Sequence, residues 1–110
     1  MYKVRATYLP KEDMTFDLDY YFRVHVPLAQ KQGAGRINIV KIDVESDTEL
    51  LMAPGVKRTP CVFSIYFNDE EDVNAFRAFM ASDAVKPMRE DVANYTNCEI
   101  EWTVCEVTEA

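Results

Sequence analysis

Apolar and polar positions alternate over residues 2–9. Tyr2, Val4, Ala6 and Tyr8 fall on one side, Lys3, Arg5 and Thr7 on the other. A period of two over this length predicts a half-buried strand, which Pro10 ends. Residues 17–32 change period: Leu18, Tyr21, Phe22, His25 and Ala29 follow the i, i+3, i+4, i+7, i+11 stripe of an amphipathic helix. Asp17 can cap its first turn, and Asp19 complements the helix dipole. Pro27 removes a backbone donor and frees the carbonyl of Arg23, so a kink is expected there. Gly33 and Gly35 close the segment.

Residues 36–44 read as a second strand, with apolar residues on both parities. Residues 45–58 form a long polar connection with Pro54-Gly55 as a turn signal, and its length leaves room for a short helical turn or a flap at a pocket edge. Residues 59–67 are the strongest strand: Cys61, Phe63, Ile65 and Phe67 share one face, Val62 and Tyr66 the other. Asn68, with Glu71 three residues on, is placed to cap a second helix that buries Val73, Phe76, Phe79 and Met80. A short helical turn and a loop over 84–96 precede a last strand over 98–107, with Ile100, Trp102 and Val104 on one face. The order β-α-β-β-α-β predicts an α+β, ferredoxin-like fold: a four-stranded antiparallel sheet with both helices on one face. The other face stays bare. Because the strongest strand is apolar on both parities, a two-fold homodimer covering that face is expected.

Composition narrows the function. The 110 residues make one domain, residues 1–110, and 48% of them are hydrophobic, enough for a core. Lys+Arg 12 against Asp+Glu 19 gives a net charge of −7, which argues against nucleic acid and anionic membrane surfaces as partners. No stretch approaches the ~20 apolar residues of a membrane span. Cys61, Cys98 and Cys105 form no Cys-x-x-Cys pair, so they read as free thiols in a reducing cytoplasm, and the first residues lack the apolar run of a signal peptide. His25 is the single histidine. Without paired cysteines or further histidines, no metal site is expected; the acidic run at 69–72 is explained by its place at a helix start. No cofactor motif is present.

Two stretches carry a family resemblance. Phe16-Asp17-Leu18-Asp19-Tyr20-Tyr21 followed by His25-Val26-Pro27-Leu28 resembles the first-helix signature of the EthD family, within the dimeric α+β barrel superfamily. Asp91-Val92-Ala93-Asn94-Tyr95-Thr96 resembles that family's Asp-Val-x-Asn-Phe segment, with Tyr95 in place of the usual phenylalanine. Thr59-Pro60 and the helix from Asn68 to Phe79 extend the likeness over essentially the whole chain. The resemblance implies a small apolar cavity between sheet and helices, often with a histidine or aspartate for proton transfer. The family's namesake is associated with ethyl tert-butyl ether breakdown, and the superfamily includes cofactor-free oxygenases, isomerases, cyclases and haem enzymes. Fold alone does not choose among them.

The candidate chemistry follows. An imidazole on an apolar helix face loses solvation, which lowers its pKa and keeps it neutral, as suits a general base. The alternative is a histidine bonded to backbone for structural reasons. Asp91 can orient His25 as a carboxylate orients imidazole in acid–base pairs, or can serve as a turn residue. Tyr8, Tyr21, Phe22, Phe63 and Tyr95 are the candidate contacts for a small hydrophobic ligand, among other aromatics (Tyr20, Tyr66, Trp102) that can line a cavity. Two functions fit: a cofactor-independent enzyme moving a proton on a small oxygenated molecule, or a non-catalytic protein that binds such a molecule in the same cavity. A third possibility is a structural His25 in a closed core.

Overall fold

The alternation at the start of the chain becomes strand β1 (Tyr2–Tyr8) in a computed structural model that describes residues 1–110. Along the chain follow α1 (Leu18–Tyr20), a π-helical turn (Tyr21–His25), α2 (Val26–Gly33), β2 (Lys41–Ser46), a hairpin of β3 (Glu49–Leu50) and β4 (Ala53–Lys57), β5 (Cys61–Phe67), α3 (Glu70–Met80), α4 (Lys86–Asp91) between 3-10 turns at Asp83–Val85 and Val92–Asn94, and β6 (Ile100–Glu106). The main sheet has four strands in the order β2-β5-β1-β6, all antiparallel. This is the expected ferredoxin-like arrangement, with the two most buried strands, β5 and β1, at its centre.

Alternation decides which residues meet. Val4, Ala6 and Tyr8 of β1 lie beside Ile65, Phe63 and Cys61 of β5 and turn toward the helices. From α3, Val73, Phe76 and Phe79 pack down on them, the stripe read from the sequence. Phe67 is fully buried, its ring 5.7 Å from that of Phe76. Thr59 Oγ1 donates to the Tyr8 carbonyl at 2.6 Å, tying the end of β1 to the entry of β5.

Four local expectations change. The strand expected at 36–44 lies at Lys41–Ser46. Backbone N–H groups of Arg36 and Ile37 bond back to Gly33 O, and a methyl group on Gly33 would stand 3.3 Å from Ile37 Cδ1. Ile37 therefore folds over the end of α2 instead of extending. The connection at 45–58 is a second, two-stranded sheet rather than a helical turn, with Gly55 at φ +90°. Helix α3 is capped by Asp69, whose carboxylate accepts from Asp72 N at 3.0 Å, so Asn68 stands one residue outside. The bare sheet face is also less apolar than expected. Around Val62, Ser64 and Tyr66 it presents Lys3, Arg5 and Thr7 from β1 and Lys41, Asp43 and Glu45 from β2. The flanking strands alternate more strictly than β5, so their outward positions are polar.

Candidate active site

The site is assembled by backbone ties between two distant segments. Asp17 N donates to Tyr95 O at 2.7 Å, and Phe16 and Thr96 form an isolated bridge. Thr96 Oγ1 donates to Thr15 O at 2.7 Å. The Asp17 side chain then accepts from Tyr20 N at 3.0 Å and starts the helix. These bonds set the first helix against the 91–96 segment before any site residue is placed.

The helix does not continue as a regular α-helix. Val26 N donates to Tyr21 O, an i→i+5 bond, and Pro27 sits in the first turn of α2. The donor missing at Pro27 is thus accommodated by a π turn directly upstream, the physical form taken by the expected break. Tyr21 and His25 bracket that turn and are both buried. Phe22 is swung outward and is 48% exposed, its ring resting on the edge of Tyr21 at 5.9 Å. It does not reach the cavity, contrary to the simple helical stripe.

His25 is 8% exposed. Its ring stacks on Tyr21 at 5.5 Å and meets Tyr95 at 4.6 Å. Nδ1 lies 2.9 Å from Asp91 Oδ2. Asp91 also accepts from the Tyr20 hydroxyl at 2.5 Å and from Asn94 Nδ2 at 3.0 Å, both on Oδ1. Burial pushes the histidine below its ordinary pKa, and Asp91 opposes that shift without reversing it. Burial raises the Asp91 carboxyl, but the hydrogen bonds from Tyr20, Asn94 and His25 outweigh it and hold the group below its usual range. A charged carboxylate beside a neutral imidazole takes the Nδ1–H. That leaves the lone pair on Nε2, which has no protein partner.

His25 borders an apolar cavity of about 330 Å³ between the sheet and the helices. Of its 20 lining residues 17 are hydrophobic, so a greasy molecule displaces poorly held water there. Tyr8, Tyr21 and Phe63 line it. Tyr95 stands behind that wall, its hydroxyl 2.6 Å from the Tyr8 hydroxyl. Burial raises the pKa of all three tyrosines, Tyr8, Tyr21 and Tyr95, so each keeps its O–H. Cys61 is a buried thiol pushed up to about 12, mainly by desolvation, and is therefore unreactive. Tyr66 is on the other sheet face, under the ammonium groups of Lys41 at 4.5 Å and Lys3 at 5.2 Å.

Solved structures share this architecture. An EthD-like protein from Ralstonia eutropha superposes with a TM-score of 0.80 at 23% identity, covering 98% of this chain and 92% of its own. An ethyl tert-butyl ether degradation (EthD) family protein from Bacillus halodurans gives 0.62 at 21% identity, covering 98% and 99%. The chain has the fold of the EthD-like proteins. SnoaB, a cofactor-independent oxygenase from Streptomyces nogalater, shares it at a TM-score of 0.59 and 11% identity, covering 99% and 93%. No protein-family model and no curated protein matches the sequence. No helix is long and apolar enough to cross a membrane.

Several site features were not assigned roles from sequence. Tyr20 points to Asp91 rather than into the cavity, and Asn94 bonds the same carboxylate oxygen. Ile37, Ile39, Met88 and Arg89 line the cavity. Asn94 follows Asp91 by three residues within one run of helical turns, so its reach was readable as an i, i+3 pair. Nothing in the spacing of Tyr20 and Asp91 indicates that they touch.

Proposed function

We propose that this chain is a cofactor-independent enzyme that moves a proton on a small, hydrophobic, oxygenated molecule held in the cavity. The observation that carries the reading is a buried His25–Asp91 pair, joined through Nδ1, in the wall of an apolar hollow. Neutral His25 takes a proton from a carbon beside a carbonyl. Asp91, already charged, stabilises the imidazolium that forms. The protonated phenols of Tyr8 and Tyr21 are donors for the oxyanion that develops on the carbonyl. Return of the proton to a second carbon is an isomerisation; attack of the carbanion on a second carbonyl of the same molecule is a ring closure. If dioxygen meets the carbanion first, the result is an oxygenation.

A homodimer in a reducing cytoplasm completes the proposal. Supporting the dimer, Arg5 Nε and Ser64 Oγ are buried on the open sheet face with no hydrogen-bond partner, a condition a second subunit would relieve. Supporting the compartment, all three cysteines are free thiols.

Replacing His25 tests the chemistry. His25→Gln is expected to lower turnover of the true substrate by about 10²–10⁴-fold while ligand binding persists. Full turnover in that variant would overturn the assignment of His25 as the proton-transfer group.

A further inference from the structure

The cavity is not closed on all sides. Phe76, Met80, Arg89 and Trp102 belong both to its wall and to an open cleft between α3 and β6, which continues past Arg77 and Val104. The cleft is therefore the outlet of the cavity along the edge of the sheet. Trp102 and Val104 are 43% and 42% exposed there, although they sit on the sheet face that the helices cover elsewhere.

The charges within the cavity and the cleft are one-sided, with Glu70 and Glu106 beyond Arg77 on its far side. The chain has 19 acidic residues against 12 Lys and Arg. Yet no carboxylate lines either hollow, and the only formally charged side chains on the two walls are Arg77 and Arg89. Neither arginine takes part in an ion pair. Each spends one donor on holding its position: Arg77 Nη1 on Asn74 Oδ1 at 2.8 Å, Arg89 Nη2 on Met80 O at 2.6 Å. A guanidinium has five N–H donors, so most remain free for a planar oxyanion.

We propose that the ligand is an amphiphilic carboxylate, with its apolar body in the cavity and its carboxylate at the outlet between Arg77 and Arg89. This deepens the function proposed above and rests on the cavity being the substrate site. The placement separates two incompatible needs. The anion stays at a wet, cationic rim and avoids the cost of burial, while the reacting end lies in the dry interior beside His25. A neutral greasy ligand would have no use for the two guanidinium groups. The substrate class is then a hydrophobic carboxylic acid with its carbonyl at the end away from the carboxylate.

Octanoate and octanamide separate the two requirements, since they share a chain and differ in charge. Their binding to the full chain is measured by calorimetry and by shifts of the His25 ring signals. Octanoate is expected to bind at least about tenfold more tightly than octanamide, as charge-assisted hydrogen bonds to arginine allow. Arg77→Gln with Arg89→Gln is expected to abolish the preference, and Arg77→Lys with Arg89→Lys to keep part of it. Equal binding of the two probes, or a preference that survives the double Gln variant, overturns the carboxylate assignment and leaves the cavity reading intact if the His25 signals still move. If neither probe binds or shifts His25, the cavity reading falls as well.

Discussion

The two faces of one sheet show how differently the same strands are used. Under the helices, β1 and β5 present Val4, Ala6, Tyr8, Phe63 and Ile65, all buried. On the open side the same strands present Lys3, Arg5, Ser64 and Tyr66, and β2 adds Asp43 and Glu45. Arg5 and Glu45 form only a long ion pair at 3.9 Å with both side chains half exposed, of the kind that contributes little. The helix face has low local polarity and many ring contacts, so a charge there changes the properties of its neighbours. On the single subunit, the charged side chains of the open face, such as Arg5 and Glu45, have solvent to screen them. Chemistry that depends on a shifted pKa is confined to the first face by this contrast.

The contrast can be broken most forcefully by truncation. Phe67→Ala on the helix face should cost about 3–5 kcal/mol, while Lys3→Ala on the open face should stay within about 0.5 kcal/mol. Urea denaturation of both variants measures the difference. The small value at Lys3 is that of a single subunit; a larger cost that appears as the chain concentration rises would mark the second subunit packed on this face.

A smaller effect is expected at the buried pair. Asp91→Asn removes a charged hydrogen-bond acceptor and should destabilise the fold by about 1.5–3 kcal/mol. It should also drop the His25 pKa further, because Asp91 is what raises it against burial. An NMR titration of the single imidazole reads this directly. A rise instead would show that Asp91 is not the partner of Nδ1.

The pH dependence of stability sharpens the same point. His25 has a folded pKa below its ordinary 6.5, so between those two values the unfolded chain binds more protons and stability rises with pH. Acidification below 6.5 should therefore weaken the fold, and His25→Gln should flatten that window. Asp91 acts in a second window. Its pKa is lowered on folding from 3.8, so its contribution is present above that value and is lost as pH falls through the folded value. Denaturation midpoints from pH 7.5 to 3 would resolve both steps.

Within the His25–Asp91 network the smallest effect belongs to Tyr20→Phe. It removes the hydroxyl that donates to Asp91 Oδ1 and leaves the ring. The expected outcome is a slight loss of stability with an upward shift of the Asp91 pKa, read from denaturation and from an NMR titration. Were the acid limb of turnover also to move, Tyr20 would be a positioning residue for His25 through Asp91.

Local pattern alone determined much of this protein. Strict alternation placed β1 and the inward face of β5, and the Val73, Phe76, Phe79 stripe placed α3, because side-chain direction in these elements follows from backbone geometry. It also singled out His25 and made its low pKa an expectation. Three things were decided only by tertiary structure. Ile37 and Ile39, extended by propensity, were claimed by the end of α2 and the cavity wall. Phe22 left the apolar stripe because Pro27 is accommodated by a π turn, which shifts the face that the helix buries. The meeting of Tyr20, His25 and Asp91 required Asp17 and Phe16 to pair with Tyr95 and Thr96. Such long-range pairing is a property of the folded sheet and helices together, since no local preference of either segment encodes its partner.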